Sequence, residues 1–466
     1  MTAIVILGGG PAGYEAALVA AELGADVTVV TREGLGGNCV LWDCVPSKAL
    51  IVAAEAMGWM GQADRLGVRI DGAAGSVDRT SIDFPTLADH VLTLGRNQSA
   101  DIEKKVGKVG AVVIRGTGRI AAPNEVAVTL EDGREERLPA DVVLVATGST
   151  ARTLPFFTPD GERVLVGPQV YSLTEVPERL IVVGSGATGA EFAHAFVRFG
   201  SDVTLVSSRD QVLPSEDPDA AAVISEVFER RGMTILRKVR AVGCERTDTG
   251  VAVALDDGST VEGSHVLFTV GQVPASADLG LEAVGVTIDE GGGVPVDGVS
   301  RTNVPWVYAA GDVVGQMMLA NVAAMQGRTA MWHALGQAVA PLQWNAVAAT
   351  IFTDPEVATV GMSEADCAER GITVRVSRLD FRGNSRAKMV GMTDGFVKVI
   401  ASPGSGTVLG GSVVSYRASD LIQPLAVAIA NRLTVSQLAH TFTVYPSMAG
   451  SVTEAARLLM VEQERA

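Results

Sequence analysis

The chain repeats one strand-helix-strand pattern twice. Residues 3–33 and residues 180–210 each begin with a short apolar, mostly β-branched run and then pass through a glycine-rich turn. Small and apolar residues at helical spacing follow, and a second β-branched run closes each copy. This order of signals is typical of a βαβ unit with two parallel strands. The repeat therefore predicts an α/β fold that contains two Rossmann-like dinucleotide-binding domains.

Each unit carries a G-x-G-x-x-G pattern between its first strand and its helix. The first glycine permits the tight turn, the second lets the backbone approach a pyrophosphate, and the third lets the helix pack closely on the strand. The helix N-terminus adds N–H donors and a partial positive charge. One such match can serve packing alone, but two in the same context predict two bound dinucleotides. The glycines are Gly8, Gly10 and Gly13 in the first unit and Gly184, Gly186 and Gly189 in the second.

A carboxylate usually ends the second strand of such a unit, where it binds the adenosine ribose. In the first unit Thr31 occupies that position and Glu33 follows two residues later, so the usual carboxylate is displaced or absent. In the second unit the position is Ser207, followed by Ser208 and Arg209. A serine does not repel a 2′-phosphate and an arginine can pair with one. NADPH is therefore admissible beside NADH, and the alternative is that Arg209 is a solvated surface charge.

Composition and charge narrow the class of protein. With 466 residues, 47% of them hydrophobic, the chain is expected to form several folded domains. Its net charge of −16 disfavours nucleic acid or anionic lipid as the main partner, because a phosphate backbone would be repelled. The N-terminus lacks the basic region of a signal peptide, and no apolar window is long enough to cross a membrane. We therefore expect a cytoplasmic protein without integral membrane contact.

The four cysteines include one close pair, Cys39 and Cys44, in the stretch CVLWDC. Cys244 and Cys367 are expected to be buried thiols. Residues five positions apart in an ideal helix are separated by a rise of about 7.5 Å, whereas a disulfide rarely joins Cα atoms more than about 7 Å apart. If Cys39 and Cys44 are joined, their segment must be distorted or only partly helical. Two reduced thiols used for packing are the alternative.

Five motifs follow one another along the chain in a characteristic order. They are GGGPAG (8–13), CVLWDCVPSK (39–48), ATGS (146–149), GSGATGAE (184–191) and VYAAGD (307–312). On these motifs the chain resembles the flavoprotein disulfide reductases, which are the relatives of dihydrolipoamide dehydrogenase, glutathione reductase and mercuric reductase.

The resemblance implies a division of the chain into domains. FAD is expected on the first βαβ unit, NAD(P)H on the second, and a homodimer through a C-terminal α+β domain. The stretches IFTDPEVATVG and TDGFVKV look like the family's dimerisation domain. The expected segments are residues 1–150 (FAD-binding), 151–272 (NAD(P)-binding), 273–338 (return to the FAD-binding part) and 339–466 (dimerisation).

The resemblance also implies roles for single residues. Asp312 matches the aspartate that binds the ribityl and phosphate region of FAD, and Lys48 with Glu191 matches an ion pair beside the reactive flavin nitrogen. A cation held there can stabilise negative charge on the reduced ring. No metal site is expected. Further candidate cofactor ligands, from the motifs ATGS and VGQVP, are Thr147, Gly148 and Gly271.

The family's proton-handling base is missing. The resemblance places it on the partner subunit, as a His-Pro pair with a glutamate five residues after the histidine. In TVYPSMAGS, residues 443–451, Tyr445 stands for the histidine and Gly450 for the glutamate. Tyr445 is therefore the candidate catalytic residue at that position. His440 lies five positions earlier and is expected to be structural or to cap a helix.

The C-terminal stretch VYPSMAGSVTEAARLLM, residues 444–460, is similar to that of actinobacterial-type NAD(P)H:quinone reductases without the histidine and glutamate. Those proteins usually lack the first cysteine, whereas Cys39 is present here. Asn321 and Gln326 also replace a histidine and a glutamate of the family. We therefore expect an FAD-dependent NAD(P)H dehydrogenase of quinones or similar acceptors. Two alternatives stay open: a disulfide reductase that uses Cys39 and Cys44, and a redox-sensing flavoprotein whose dimer surface is functional.

Overall fold

The computed structural model describes residues 1–70, 73–74 and 80–463, and it confirms the α/β class. The N-terminal part contains the first βαβ unit, a pair of helices around the two cysteines, a long helix and an antiparallel extension. Its elements are β1 (Ala3–Leu7), α1 (Pro11–Glu22), β2 (Asp26–Thr31), α2 (Gly37–Leu41), α3 (Cys44–Gln62), β3 (Arg69–Ile70), β4 (Ala73–Ala74), α4 (Phe84–Lys108), β5 (Val112–Ala122), β6 (Glu125–Leu130), β7 (Glu135–Pro139) and β8 (Val142–Val145).

The middle part contains the second βαβ unit and then returns to the first sheet. Its elements are β9 (Ser149–Ala151), β10 (Val164–Val166), β11 (Arg179–Val183), α5 (Ala187–Phe199), β12 (Asp202–Val206), α6 (Pro218–Arg230), β13 (Thr234–Leu236), β14 (Ala241–Arg246), β15 (Val251–Leu255), β16 (Thr260–Gly263), β17 (His265–Phe268), β18 (Gln272–Pro274), β19 (Val307–Ala309) and α7 (Ala320–Ala334).

The C-terminal part is an antiparallel sheet covered by short helices. Its elements are β20 (Ala348–Ile351), β21 (Glu356–Gly361), α8 (Glu364–Glu369), β22 (Arg375–Asp380), α9 (Ser385–Val390), β23 (Phe396–Ala401), β24 (Val408–Ser415), α10 (Ala418–Leu421), α11 (Gln423–Ala430), α12 (Val435–Ala439) and α13 (Gly450–Gln463).

Both repeats fold as parallel βαβ units. The first sheet has the order β19-β8-β1-β2-β5-β6-β7, and β1 pairs in parallel with β2 and with β8. The second sheet has the order β10-β17-β11-β12-β13, and β11 pairs in parallel with β12 and with β17. The central strands are buried, which explains why their sequences are continuous apolar runs. The β19 strand brings the chain back to the first sheet after the second sheet is complete.

Small residues on α1 let α7 approach it closely. Ala12, Ala16 and Ala20 are buried in one cluster with Ala323 of α7. A Cβ added to Gly327 would lie 2.1 Å from the carbonyl oxygen of Ala12, so only glycine fits at that contact. The contact fixes α7 against the helix that follows the first glycine turn.

The C-terminal sheet has the order β20-β21-β24-β23-β22 and packs against α11 and α13 through a separate apolar cluster. This arrangement confirms the predicted α+β part at the C-terminus. The expected domain boundaries stay a prediction. Within the described residues, no helix is both long and apolar enough to cross a membrane.

Two ion-pair networks join the second βαβ unit to the C-terminal sheet. The buried Lys398 on β23 places its Nζ 2.8 Å from Asp217, 2.7 Å from Asp219 and 2.8 Å from Glu364. These carboxylates raise the pKa of Lys398 against the effect of burial, which alone would lower it. In the second network, Arg198 of α5 and Arg231 after α6 both bind the Oδ2 of Asp354, and we call these two networks together the interdomain ion pairs.

The expectation for the isolated cysteines is confirmed at one position and wrong at the other. Cys367 of α8 is fully buried. Cys244 is only half-buried, because it lies on β14, an edge strand of the small antiparallel sheet β14-β15-β16.

Candidate functional site

One large cavity, of about 910 Å³, connects the two glycine turns. Its wall includes the first turn with Gly8 and Gly10, the second turn with Gly186, and the dithiol segment with Cys39 and Cys44. A cavity of this size is at the upper end of the range for small-molecule sites. Other cavity-lining residues that the sequence indicated are Thr31, Glu33, Thr147, Gly148, Gly271 and Asp312.

The first glycine turn is a close-packed cradle with one open side. Gly8 has φ +111°, and an added Cβ would lie 2.1 Å from the carbonyl oxygen of Ala146. A Cβ on Gly13 would lie 1.9 Å from the carbonyl oxygen of Gly8. A Cβ on Gly10 would meet nothing within 4 Å, because this residue faces the cavity. The first and third glycines therefore form the turn, and the second leaves room for a ligand.

The second turn repeats this geometry. Gly184 has φ +115°, and an added Cβ would lie 2.4 Å from the carbonyl oxygen of Thr269. A Cβ on Gly189 would lie 1.9 Å from the carbonyl oxygen of Gly184, and one on Gly186 would meet nothing within 4 Å. Both turns thus present the N-terminus of a helix, α1 or α5, to the same cavity. The residues present fit two pyrophosphate groups.

At the end of β2 the structure brings Thr31 and Glu33 to the cavity wall. Thr31 is buried, and its hydroxyl lies 3.4 Å from the carbonyl oxygen of Gly34. Glu33 is exposed, and its carboxylate accepts a hydrogen bond from the indole N–H of Trp42. Arg115 on β5 donates to the backbone carbonyl of Glu33. The displaced carboxylate is therefore held at the rim of the cavity by a residue from the dithiol segment.

At the end of β12 the side chain of Ser207 is already occupied. Its Oγ lies 2.7 Å from that of Ser185 and accepts from the backbone N–H of Arg209 at 3.1 Å. Ser207 is completely buried, whereas Ser208 and Arg209 are exposed. Within the part of the chain that the structure describes, no ion pair holds the Arg209 guanidinium. Ser207 therefore shapes the turn. Neither Ser208 nor Arg209 is among the residues that line the cavity, so contact of Arg209 with a ligand stays a prediction.

Asp312 follows β19 and lies close to the dithiol segment. Its Oδ2 accepts a hydrogen bond from Ser149 at 2.7 Å. Burial raises the pKa of Asp312 and the Asp43 charge raises it further, while the Ser149 hydrogen bond opposes both. The preceding Gly311 donates its N–H to Oε1 of the buried Gln326 at 2.8 Å. The glutamine that replaces a family glutamate thus holds the turn that presents Asp312.

Thr147 and Gly148 form the connection from β8 to β9. Thr147 donates its hydroxyl to the carbonyl of Ala275 at 2.7 Å, and Ala275 donates its N–H to the carbonyl of Gly148 at 2.9 Å. Gly271 precedes β18, which pairs with β9, and its carbonyl accepts from the N–H of Arg152 at 2.9 Å. These three predicted ligands lie in one crossover between the two sheets.

Lys48 and Glu191 form the predicted ion pair, with 2.8 Å between Nζ and Oε2. Lys48 lies one helical turn after Cys44 on α3, and the buried Glu191 precedes Phe192, which lines the cavity. Burial alone would lower the pKa of Lys48, but the charges of Glu191 and Cys44 raise it overall. The structure therefore holds a protonated lysine directly behind the cavity wall.

Sequence reasoning missed Phe352, which completes this ion pair. Its backbone N–H donates to Oε1 of Glu191 at 2.8 Å, and the Lys48 Nζ lies 5.0 Å from the centre of its ring. A cation over an aromatic face is stabilised electrostatically. The signal in the sequence was the family-like stretch that begins at residue 351, but spacing alone does not connect it to α3 or α5.

The helix is interrupted between Cys39 and Cys44. The sequence predicted that an uninterrupted helix would hold these two residues too far apart to approach each other closely. Helix α2 ends at Leu41 and α3 begins at Cys44, and the link has φ −127° and ψ −95° at Asp43. Both cysteines are free thiols, and the Cys44 thiol hydrogen-bonds to Cys39. This bond lowers the pKa of Cys39, whereas the same bond, burial and the Cys39 charge raise the pKa of Cys44. A working redox disulfide stays a prediction.

Tyr445 does not reach the cavity of its own chain. Its side chain is 83% exposed, and its hydroxyl lies 3.2 Å from that of Ser385 at the start of α9. Phe442 and Val444 beside it are 102% and 79% exposed. His440 ends α12 and places Nδ1 2.7 Å from the carbonyl of Ser436, so the expected helix-capping role is confirmed.

Two family models match the chain. The model for pyridine nucleotide-disulphide oxidoreductases matches residues 2–327. The model for the dimerisation domain of the same group matches residues 347–456. Together they cover both βαβ units and the C-terminal sheet.

Individual relatives span the whole chain. The chain is 48% identical to an NAD(P)H dehydrogenase (quinone) of Mycobacterium tuberculosis, with 100% of this chain and 95% of that protein covered. It is 36% identical to a dihydrolipoyl dehydrogenase of Haloferax volcanii, with 98% and 95% covered. The crystal structure of LpdA from M. tuberculosis superposes with a TM-score of 0.94 at 48% identity, covering 99% of this chain and 100% of that one. The HOCl-induced flavoprotein disulfide reductase RclA from Escherichia coli, at 23% identity, TM-score 0.86 and coverage of 98% and 100%, shares the fold.

Proposed function

We infer that this chain, a member of the pyridine nucleotide-disulphide oxidoreductase family, is an FAD-dependent NAD(P)H dehydrogenase. The proposed acceptors are quinones or similar electron acceptors. The observation that carries this inference is the single cavity joining both glycine turns, with Lys48 and Glu191 behind its wall. The 48% identity to an NAD(P)H dehydrogenase (quinone) over the full chain supports the choice of acceptor.

The residues of the first turn are proposed to hold FAD. Gly10 leaves space for the pyrophosphate, Asp312 and Thr147 line the cavity beyond it, and Glu33 lies at the ribose end. FAD, when bound, supplies two-electron chemistry between NAD(P)H and an acceptor. The chain contributes orientation through the helix N-termini and a fixed positive charge through Lys48. The second turn, with Arg209 nearby, is proposed to hold NAD(P)H.

The absence of the histidine and glutamate that would move protons favours a quinone over a disulfide as the electron acceptor. Exchange of thiols with a substrate disulfide needs a group that moves protons. Tyr445 and Gly450 stand at the positions where a histidine and a glutamate would provide it, and they supply neither an imidazole nor a carboxylate. A quinone accepts electrons without such an exchange.

A homodimer is part of the proposal. The exposed aromatic and apolar side chains Phe442, Val444 and Tyr445 form a contiguous segment, and surfaces of this kind mark interfaces. The match to a dimerisation domain supports the partner being a second copy. In that arrangement the proposed place of action of Tyr445 is the cavity of the partner chain. The cytoplasmic location expected from the sequence also stays part of this proposal.

The test is a panel of acceptors with both nicotinamides. We expect NADH or NADPH to drive steady reduction of menadione and other quinones, and reduction of lipoamide and small disulfides to be slow. Rapid reduction of a disulfide would favour the second candidate, a disulfide reductase, because Cys39 and Cys44 do line the cavity. Binding of NAD(P)H without turnover of any acceptor would contradict both and favour a sensor.

Replacing Arg209 by alanine should weaken the binding of NADPH more than the binding of NADH. Loss of one charge-assisted contact to a 2′-phosphate costs about 1.5 to 3 kcal/mol, which is about ten- to a hundredfold in the KM for NADPH. The control is Arg96→Ala, which removes an equal charge from the exposed face of α4. If Arg209→Ala raised the KM for NADH and for NADPH equally, this side chain would not contact the 2′-phosphate.

Removing both cysteines of the dithiol segment should leave quinone reduction within a few-fold of the wild type. The Lys48–Glu191 pair and both glycine turns are unchanged in a Cys39→Ala, Cys44→Ala variant. General acid-base assistance is worth about 10²- to 10⁴-fold, so a thiol relay without a base is slow in the parent protein. Steady-state kinetics with menadione decide the point, with Cys244→Ala as the control. Loss of quinone turnover would mean that the dithiol is a working relay.

A further inference from the structure

Asp43 directly precedes Cys44 in the two-residue break between α2 and α3, and its carboxylate does not cap the helix. An aspartate at this position usually accepts a hydrogen bond from the second or third backbone N–H of the helix. Here the third residue of α3 is Pro46, which has no N–H, and the Asp43 side chain makes no capping bond. Asp43 lines the cavity together with Cys39 and Cys44. Its charge is therefore left beside the thiols.

The charges around the dithiol are mostly negative. Asp43 from the helix break and Asp312 from the turn after β19 are carboxylates, and Lys48 of α3 is the cation. Lys48 is already paired with Glu191 of α5 at 2.8 Å. Cys44 begins a helix of 19 residues, a position that ordinarily favours a thiolate. The Asp43 charge opposes that effect: it adds to the Cys39 hydrogen bond and the burial that raise the pKa of Cys44. It also acts against the Cys44 hydrogen bond, which lowers the pKa of Cys39 overall.

We propose that Asp43 is a specificity-determining residue: its carboxylate disfavours the thiolate forms of Cys39 and Cys44 and so directs electrons away from disulfides. The proposal rests on the proposed function, because it explains how a chain that retains both cysteines favours an acceptor of another class.

The chemistry that Asp43 suppresses is thiol–disulfide exchange. A Cys39 thiolate would attack a substrate RSSR′, forming a Cys39–SR mixed disulfide and releasing R′S⁻. A Cys44 thiolate would then attack the Cys39 sulfur, forming the Cys39–Cys44 disulfide and releasing RS⁻. The two released thiolates take up the two protons that the cysteines lost, and the dithiol has given up two electrons, which NAD(P)H must replace. Both steps need a thiolate.

The test is the rate of alkylation of the reduced holoenzyme by iodoacetamide near neutral pH, with each cysteine measured by mass spectrometry. Loss of one nearby charge lowers a thiol pKa by on the order of one unit. The thiolate fraction then rises about tenfold, while the lower basicity reduces the intrinsic rate about threefold. We therefore expect Asp43→Asn to accelerate alkylation of the pair about threefold. Asp43→Glu keeps the charge and should restore the slow rate.

Two references control the measurement. Cys244 on β14 is half-buried and is not among the residues that line the cavity, so its alkylation should be the same in every variant. Asp101→Asn removes an equal charge from the exposed face of α4, and alkylation of Cys39 and Cys44 in this variant should stay as slow as in the wild type. The same Asp43→Asn enzyme should raise the ratio of disulfide to menadione reduction about threefold.

The proposal is overturned if alkylation in Asp43→Asn is as slow as in the wild type, if Asp43→Glu is as fast as Asp43→Asn, or if the acceptor ratio does not move. A wild type that reduces no quinone would overturn the proposed function instead. Alkylation needs no acceptor and distinguishes the two failures.

Discussion

A Lys48→Met variant is expected to reduce its flavin with NAD(P)H about 10²- to 10³-fold more slowly than the wild type. The reason is the loss of a fixed positive charge that the structure places directly behind the cavity wall, next to Cys44. Removing one preorganised electrostatic group from an active site has an effect of this size. Loss of the visible flavin absorbance after rapid mixing with NADH or NADPH measures it.

The Lys48→Met substitution also affects the stability of the fold, and this effect must be separated from the effect on the flavin reduction rate. It leaves the buried Glu191 without its partner, and breaking a buried pair in this way destabilises a protein by about 3 to 5 kcal/mol. The double variant Lys48→Met, Glu191→Gln removes both charges, and the introduced amide oxygen can still accept from the N–H of Phe352. We expect the double variant to recover thermal stability and to stay slow. Recovery of the flavin reduction rate would show that Lys48 acts only through folding.

Alanine at Gly13 is expected to abolish copurification of FAD. Its Cβ would lie 1.9 Å from the carbonyl oxygen of Gly8, so the turn and α1 must move apart. Overpacking costs about 1 to 3 kcal/mol, and misplacing a backbone donor to a phosphate costs about 1.5 to 3 kcal/mol more. Together these correspond to a loss of about three orders of magnitude in FAD affinity. Flavin content per chain after purification measures it.

Gly189→Ala is the matched variant in the other turn, where the Cβ would lie 1.9 Å from the carbonyl oxygen of Gly184. We expect it to keep its flavin, which dithionite still reduces, and to lose reduction by NAD(P)H. Gly107→Ala on α4 meets nothing within 4 Å and should have no effect on either. Loss of flavin from Gly189→Ala but not from Gly13→Ala would reverse the assignment of the two turns.

The two βαβ units and the residues of their turns could be predicted from the sequence because their signals are local. A strand, a glycine turn and a helix lie within about 30 residues, and steric fit alone selects glycine at Gly8 and Gly13. The Lys48–Glu191 pair joins residues 143 positions apart, and only the family resemblance connected them. The pairing itself is confirmed, whereas its role stays a proposal.

The remaining features depend on contacts that no local pattern encodes. The Phe352 N–H meets Glu191 across 161 positions, and the carboxylate of Glu33 is bound by Trp42 through the fold of the dithiol segment. Cys244 was expected to be buried because cysteine usually is, but an edge strand of a small sheet has a solvated face. These outcomes follow from tertiary packing, which the order of motifs does not determine.

The interdomain ion pairs bear on how the nicotinamide enters. Lys398 is bound by Asp217 and Asp219 from the second βαβ unit, and Asp354 is bound by two arginines of the same unit. Because ion pairs join this unit to the C-terminal sheet at two separate points, rotation of the unit away from the sheet would expose buried charges. A dinucleotide bound at the second glycine turn, as proposed, would therefore exchange while both ion-pair networks stay intact, and we expect its entry to need no closing motion of whole domains.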